Sequence, residues 1–280
     1  MNPSMSTHPF ILDALEERHL RLIADADFRF IELWGGRPHF DFHDDAAVRR
    51  ALGWLRDSGL QTATIHLPFY SVFGQPGFRY LSLADQDDEA RRTIGADYRR
   101  LADLCAPFGC DLLILHPLGG KPYDGREIER LRRELDWFAP YCAERGVRIA
   151  LENIMQRQTR TAMLAEICRA YGPTVGICLD AGHAQVDGGL MNELADAAGH
   201  LFAVHAHDNH GQKDEHLLPG QGLIDWPAVF AALTEQTPEA RYFTFELMPS
   251  ALGGAETDEA NRALFAAAQK FWQAHHGEPR

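Results

Sequence analysis

VGICLDAGHAQVDGGLMNELADAAGHLFAVHAHDNH, residues 175–210, holds one complete repeating unit of the fold. Val175–Asp180 is a short continuous apolar run, the pattern of a strand covered on both faces. Gly189–Ala198 follows with apolar and charged residues at helical spacing, and Leu201–His205 is a second apolar run. Strand, helix and strand in that order make a parallel βαβ unit with a right-handed crossover.

The alternation extends in both directions. Runs at Phe28–Trp34, Thr62–His66, Asp111–His116, Val147–Glu152 and Tyr242–Glu246 bring the strands to seven. The segments between them predict helices at Asp13–Asp25, Ala46–Ser58, Asp85–Phe108, Gly125–Arg145, Thr161–Tyr171, Trp226–Gln236 and Glu256–His275, in addition to Gly189–Ala198. Eight helices require eight strands, and closure gives an α/β fold, the (β/α)8 TIM barrel. The remaining first strand has to lie before Phe10, where MNPSMSTHPF offers only a polar stub. Either that strand is short and degenerate, or the sequence begins inside a longer chain. No linker, composition shift or short repeat divides the sequence, so residues 1–275 read as one domain and 276–280 as a polar tail.

Composition narrows the function classes. The 280 residues are 45% hydrophobic and 24% charged, as expected of a globular protein with a full core. Lys and Arg number 27 against 40 Asp and Glu, a net charge of −13, with no basic run to track a phosphate backbone. No nucleic-acid partner is expected. The five cysteines (Cys105, Cys110, Cys142, Cys168 and Cys178) are scattered and odd in number, which suits a reducing compartment. No apolar leader opens the chain and no stretch reaches the roughly 20 apolar residues of a membrane span, so the expected location is the cytoplasm.

Chemistry in such a barrel is built at the carboxyl ends of the strands. Those ends carry Glu32, His66, His116, Glu152, Asp180, His205 and Glu246. Asp180 and His183 lie three apart in LDAGHAQ, and Asp214 and His216 lie two apart in KDEHLLPGQG. Carboxylate and imidazole donors without cysteine suit divalent ions, with zinc or manganese favoured. Glu32, Trp34, Arg37, Lys121, Arg157, His207 and Lys213 follow or end strands and are candidate contacts for a small-molecule substrate. His8, His19, His39, His43, His200, His275 and His276 read as surface or cap residues. The motifs of dinucleotide folds, P-loops, serine hydrolases and zincins are absent.

With IELW at Glu32, TIHLPF at His66, LILHPLGG at His116, ALENI at Glu152, LDAGHAQ at Asp180, VHAHDN at His205, DEHLLPGQG at Asp214 and FELMP at Glu246, the chain resembles the xylose-isomerase-like TIM barrels. That superfamily includes endonuclease IV and many bacterial sugar (phosphate) isomerases and epimerases. The resemblance to endonuclease IV implies nine metal ligands for three ions: His66, His116, Glu152, Asp180, His183, His205, Asp214, His216 and Glu246. The resemblance to the epimerases implies one ion on Glu152, Asp180, His205 and Glu246, with His183 on the substrate. The fuller set favours two or three ions and hydrolysis of a small phosphoester or phosphodiester, with Glu152 holding the reactive water. The alternative is an isomerase or epimerase in which Glu152 and Glu246 pass a proton on and off carbon. A non-catalytic metal- or ligand-binding barrel is the second alternative.

Overall fold

The computed structural model describes residues 1–120, 123–237, 240–248 and 257–276. Eight parallel strands close into a barrel in chain order: β1 (Asn2–Ser6), β2 (Phe30–Trp34), β3 (Gln61–His66), β4 (Leu112–Leu115), β5 (Arg148–Glu152), β6 (Val175–Asp180), β7 (Leu201–Ala206) and β8 (Tyr242–Phe245). The polar stub is a true strand: Ser4 and Met5 pair with Phe30 and Ile31 on one side and with Thr244 and Phe245 on the other. Backbone pairing on both sides makes good what its side chains lack in β propensity.

Around the barrel lie α1 (Glu17–Ala24), α2 (Asp45–Ser58), α3 (Asp88–Phe108), α4 (Glu127–Ala143), α5 (Thr161–Tyr171), α6 (Ala181–Val186), α7 (Leu190–Ala197), α8 (Trp226–Gln236) and α9 (Asp258–His276). Their starts follow local chemistry: the carboxylates of Asp44, Asp87 and Asp225 accept from backbone N–H groups of the first turns of α2, α3 and α8. One helix, α6, falls where a loop is expected. Asp180 ends β6, yet its side chain accepts from the His183 N–H at 2.7 Å and so starts a helix at once. Of the expected polar tail, His276 is the last residue of α9, and 277–280 lie outside the described residues.

Alternate strand residues face opposite sides. Leu113, Leu115, Ile149, Leu151, Ile177, Leu179, Phe243 and Phe245 point outward into the core beneath the helices. Leu112, Ile114, Ala150, Cys178 and Ala203 belong to a second buried cluster on the inward rows, two residues below His116, Glu152, Asp180 and His205. The inward apolar rows thus end in ionisable residues at the mouth. Two register slips trim these rows, one between Ile31 and Glu32 against β3 and one between Ile177 and Cys178 against β7. After the second, Asp180 stands opposite His205. No described helix is long and apolar enough to cross a membrane.

Candidate metal centre

The nine strand-end and loop residues with ligand chemistry meet at one mouth. Glu152 is the hub: its Oε2 lies 3.2 Å from both His66 Nε2 and His116 Nε2, and its Oε1 lies 3.4 Å from His205 Nδ1 and 3.7 Å from His183 Nδ1. Glu246 Oε2 lies 2.8 Å from His205 Nδ1 on the other side. Asp214 Oδ2 joins His183 Nε2 at 3.2 Å to His216 Nε2 at 3.1 Å. Glu152, Asp180, His205 and Glu246 each offer one donor atom within 4.8 Å of all the others, and so do the triads His66/Glu152/His205, Asp180/His183/His207 and His207/Asp214/His216.

The ring orientations suit cation binding. His66, His183 and His216 each hold Nδ1 2.8–3.0 Å from a backbone carbonyl (Leu67, Asn153 and Glu246), which fixes the ring and turns Nε2 to within 3.1–3.2 Å of a carboxylate, where a proton on Nε2 or a metal ion in its place can bridge the two. His205 is reversed, with Nε2 3.0 Å from Glu32 Oε2. Its Nδ1 and the nearby Glu246 Oε2 are both buried without a hydrogen-bond partner, as are His207 Nδ1 and Asp214 Oδ1. Close donor atoms that are not bonded to one another fit a shared divalent cation.

Charge supports the same reading. Five carboxylates (Glu32, Glu152, Asp180, Asp214 and Glu246) find only histidines as ion-pair partners among the described residues. Burial alone would raise the Glu152 carboxyl, but His116 and His205 beside it hold it well below the usual range. Glu246 behaves likewise under His205, His8 and His216. His216 is pushed up to about 9, its burial outweighed by Asp214 and Glu246. His183 rises for the same kind of reason, through Asp180, Asp214 and Glu152. These carboxylates recruit positive charge, as protons on imidazole or as a metal ion that displaces them.

The substrate-contact candidates are placed less uniformly. Glu32 is fully buried and Trp34 2% exposed, so both lie under the mouth; Trp34 stacks on His66 with centroids 4.0 Å apart. His207 is also fully buried, its Nε2 3.0 Å from Asp180 Oδ2, and belongs to the donor cluster itself. Gly182 leaves the space: a Cβ there would run into the His207 ring. Arg37 is half-buried, Arg157 and Lys213 are exposed, and Lys121 lies outside the described residues.

Three of the histidines read as surface or cap residues are interior. His8 is 7% exposed, places Nε2 3.8 Å from Glu246 Oε1, stacks on His216 and lies tilted against Trp34; burial pushes it down to about 4. His19 and His39 are buried beside Phe10, and His19 is a cap as expected, its Nδ1 accepting from the Glu16 N–H at 3.1 Å at the start of α1. His8 continues the inward row of Ser4 and Ser6, a period-two signal hidden by the polar character of β1. Asn153 was also missed. Its side chain clamps the Asp180 backbone through bonds of 2.7 and 3.0 Å, and its carbonyl takes the His183 proton.

Residues 20–271 match the family described as xylose isomerase-like TIM barrel. The chain belongs to that family. Two curated relatives are uncharacterized proteins: y4fM of Sinorhizobium fredii, 31% identical over 163 residues, and MJ1311 of Methanocaldococcus jannaschii, 25% identical over 194. Those matches cover 51% and 65% of this chain and span 52% and 63% of the relatives' own lengths. Among solved structures, a D-psicose 3-epimerase with D-tagatose from Clostridium cellulolyticum H10 superposes with a TM-score of 0.78 at 16% identity, covering 100% of both chains. A D-tagatose 3-epimerase-like protein gives 0.75 at 19%, covering 98% of this chain and 99% of that one. An IolI protein with a bound zinc atom gives 0.77 at 19%, covering 98% of each.

Proposed function

We propose that this chain is a divalent-metal-dependent isomerase or epimerase of a small keto sugar or related polyol. The observation that carries the proposal is the pair Glu152 and Glu246, which flank His205 Nδ1 from β5 and from the residue after β8. Each has a second oxygen turned away from that nitrogen, Glu152 Oε2 toward His66 and His116, and Glu246 Oε1 toward His8. One oxygen of each carboxylate can therefore belong to the ion set while the other handles a proton. The sugar 3-epimerase activity of the structural neighbours supports this reading over the hydrolysis expected from the ligand count.

Glu152, Asp180, His205 and Glu246 would hold one ion, zinc or manganese by donor chemistry. When bound, that ion polarises the carbonyl and adjacent hydroxyl of the substrate and makes the neighbouring C–H more acidic. One glutamate then removes the proton from carbon to give an enediol; the other, ionised at rest, takes a proton from a substrate hydroxyl and delivers it to the opposite face of that carbon, and the first glutamate's proton passes back to that oxygen, so that configuration inverts with no net change in atoms. His183, and from the loops Arg157 and Lys213, would be the groups that meet the substrate's hydroxyls. Hydrolysis of a phosphoester at two or three ions is the second reading, favoured by the extra donors His66, His116, His183, Asp214 and His216. Incubating manganese- or cobalt-loaded protein with ketohexoses in D2O separates the two. Deuterium entering at the carbon beside the carbonyl, together with the epimer, is the expected result. Phosphate release from phosphodiesters without such exchange would overturn it.

A further inference from the structure

The Glu32 carboxylate sits in the interior of the barrel with no exposure at all, accepting from Ser6 Oγ at 3.1 Å, Thr64 Oγ1 at 2.8 Å and His205 Nε2 at 3.0 Å. It belongs to none of the groups whose donor atoms converge for an ion. It comes from β2, whereas His205 comes from β7, with β8 and β1 between them in the ring. Three other rings at the mouth reach a backbone carbonyl through Nδ1, His66 that of Leu67, His183 that of Asn153 and His216 that of Glu246, and His207 meets the Asp180 carboxylate of the neighbouring strand through Nε2. His205 instead meets a carboxylate from across the barrel.

We infer that Glu32 is a positioning residue that holds the proton of His205 on Nε2 and so turns a bare Nδ1 to the ion site. A carboxylate accepts only, so the shared hydrogen belongs to His205 Nε2, and the neutral ring keeps its lone pair at Nδ1. That nitrogen lies 2.8 Å from Glu246 Oε2, 3.4 Å from Glu152 Oε1 and 3.8 Å from Asp180 Oδ2, and no hydrogen bond occupies it. The hydroxyls of Ser6 and Thr64 fix the carboxylate from the two strands flanking β2, so it cannot swing toward the ion site. The register slip between Ile31 and Glu32 lies at this residue, as slips do where a strand must re-aim a side chain. A charged acceptor also makes the ring a stronger donor to the metal, and outer partners of this kind are typically worth about 10- to 100-fold in metal affinity.

The inference rests on the metal-binding part of the reading above, and not on the identity of the reaction. Its test is cobalt affinity, followed by the visible spectrum of the bound ion, on the full chain and on Glu32→Gln, His205→Ala and the double variant. The Glu32→Gln change preserves shape, and Ser6 and Thr64 can rotate their hydroxyls to suit the amide. Expected is a loss of about 10- to 100-fold in cobalt affinity for Glu32→Gln with an unchanged unfolding midpoint. In the His205→Ala background the same change should cost nothing further, because its route to the ion is gone. Affinity within about twofold of the parent, or losses that multiply in the double variant, would overturn the inference and leave the proposed reaction standing. Tight cobalt binding without any epimerisation would do the reverse. A parent chain that binds no cobalt overturns both.

Discussion

Glu246 shows most directly how one side chain can be ligand and base at once. Glu246→Gln keeps an oxygen donor toward His205 but removes the proton acceptor. Activity should fall by about 10^2 to 10^4 with metal content unchanged, measured by turnover and elemental analysis on one sample. Parallel loss of metal and activity would make Glu246 a ligand alone. His116 gives the complementary case: it touches Glu152 Oε2 but joins no three-donor group among the described residues. His116→Ala should therefore leave the metal content of a one-ion enzyme intact, whereas a multinuclear hydrolase would lose part of it. His39 reports on stability. Its Nδ1 lies 3.0 Å from the carbonyls of both Phe10 and Asp13, and burial pushes it from 6.5 down to about 4. The unfolded chain thus binds a proton that the folded one refuses between those values, so stability is lost as pH falls from 6.5 to about 4. At the limit the loss is about 3 kcal/mol. Urea unfolding at a series of pH values should show a flatter decline for His39→Gln, and parallel curves would exclude the assignment.

At the scale of elements, the barrel was legible because each parallel strand is a short apolar run and each run ends in an ionisable residue. Val175–Asp180 and Leu201–His205 show both features, and the structure extends the second only to Ala206. What escaped was set by partners distant in sequence. β1 carries Ser4 and Ser6 inward because Glu32 and the mouth need polar neighbours, which removes the apolar pattern that marks a strand. The segment after β7 looks like a solvated histidine-rich loop, yet Asp208 is fully buried and organises it. Its carboxylate accepts from the N–H groups of Asn209, Gly220 and Ile224 and from Trp226 Nε1, at 2.9–3.2 Å. This anchors the loop that carries Asp214 and His216, where His216 is held at a φ of 48° that few non-glycine residues adopt. Asp208→Ala leaves several buried donors unpaired and should cost about 2–4 kcal/mol, weakening cobalt binding in the same variant. Full cobalt affinity in a destabilised Asp208→Ala would separate the loop's packing from the site.

For the whole molecule the decisive quantity is where its charge lies. A net charge of −13 on the chain surrounds a mouth whose five carboxylates pair only with histidines among the described residues. Such a surface repels a duplex, so no salt-sensitive complex with DNA is expected at physiological salt, and a micromolar one on a mobility shift would contradict the small-substrate reading. On the metal-dependent reading the folded barrel binds a divalent ion better than the unfolded chain does, because folding brings candidate donors from β3 through β8 and the loop after β7 to one place. Binding to the native state alone adds stability that grows with the logarithm of free ion, about 2.7 kcal/mol at roughly a hundred times the dissociation constant. For a chain of this length that raises the unfolding midpoint by about 5 °C. The increment must shrink as pH falls, since protons compete with the ion for the imidazole of His205. Scanning calorimetry with cobalt and with chelator, at about pH 7.5 and again at about pH 5.5, should show a clear gap between the two at the higher pH and a much smaller one at the lower. A gap of equal size at both values would place the ion on groups that do not titrate in this range, away from the histidine-lined mouth.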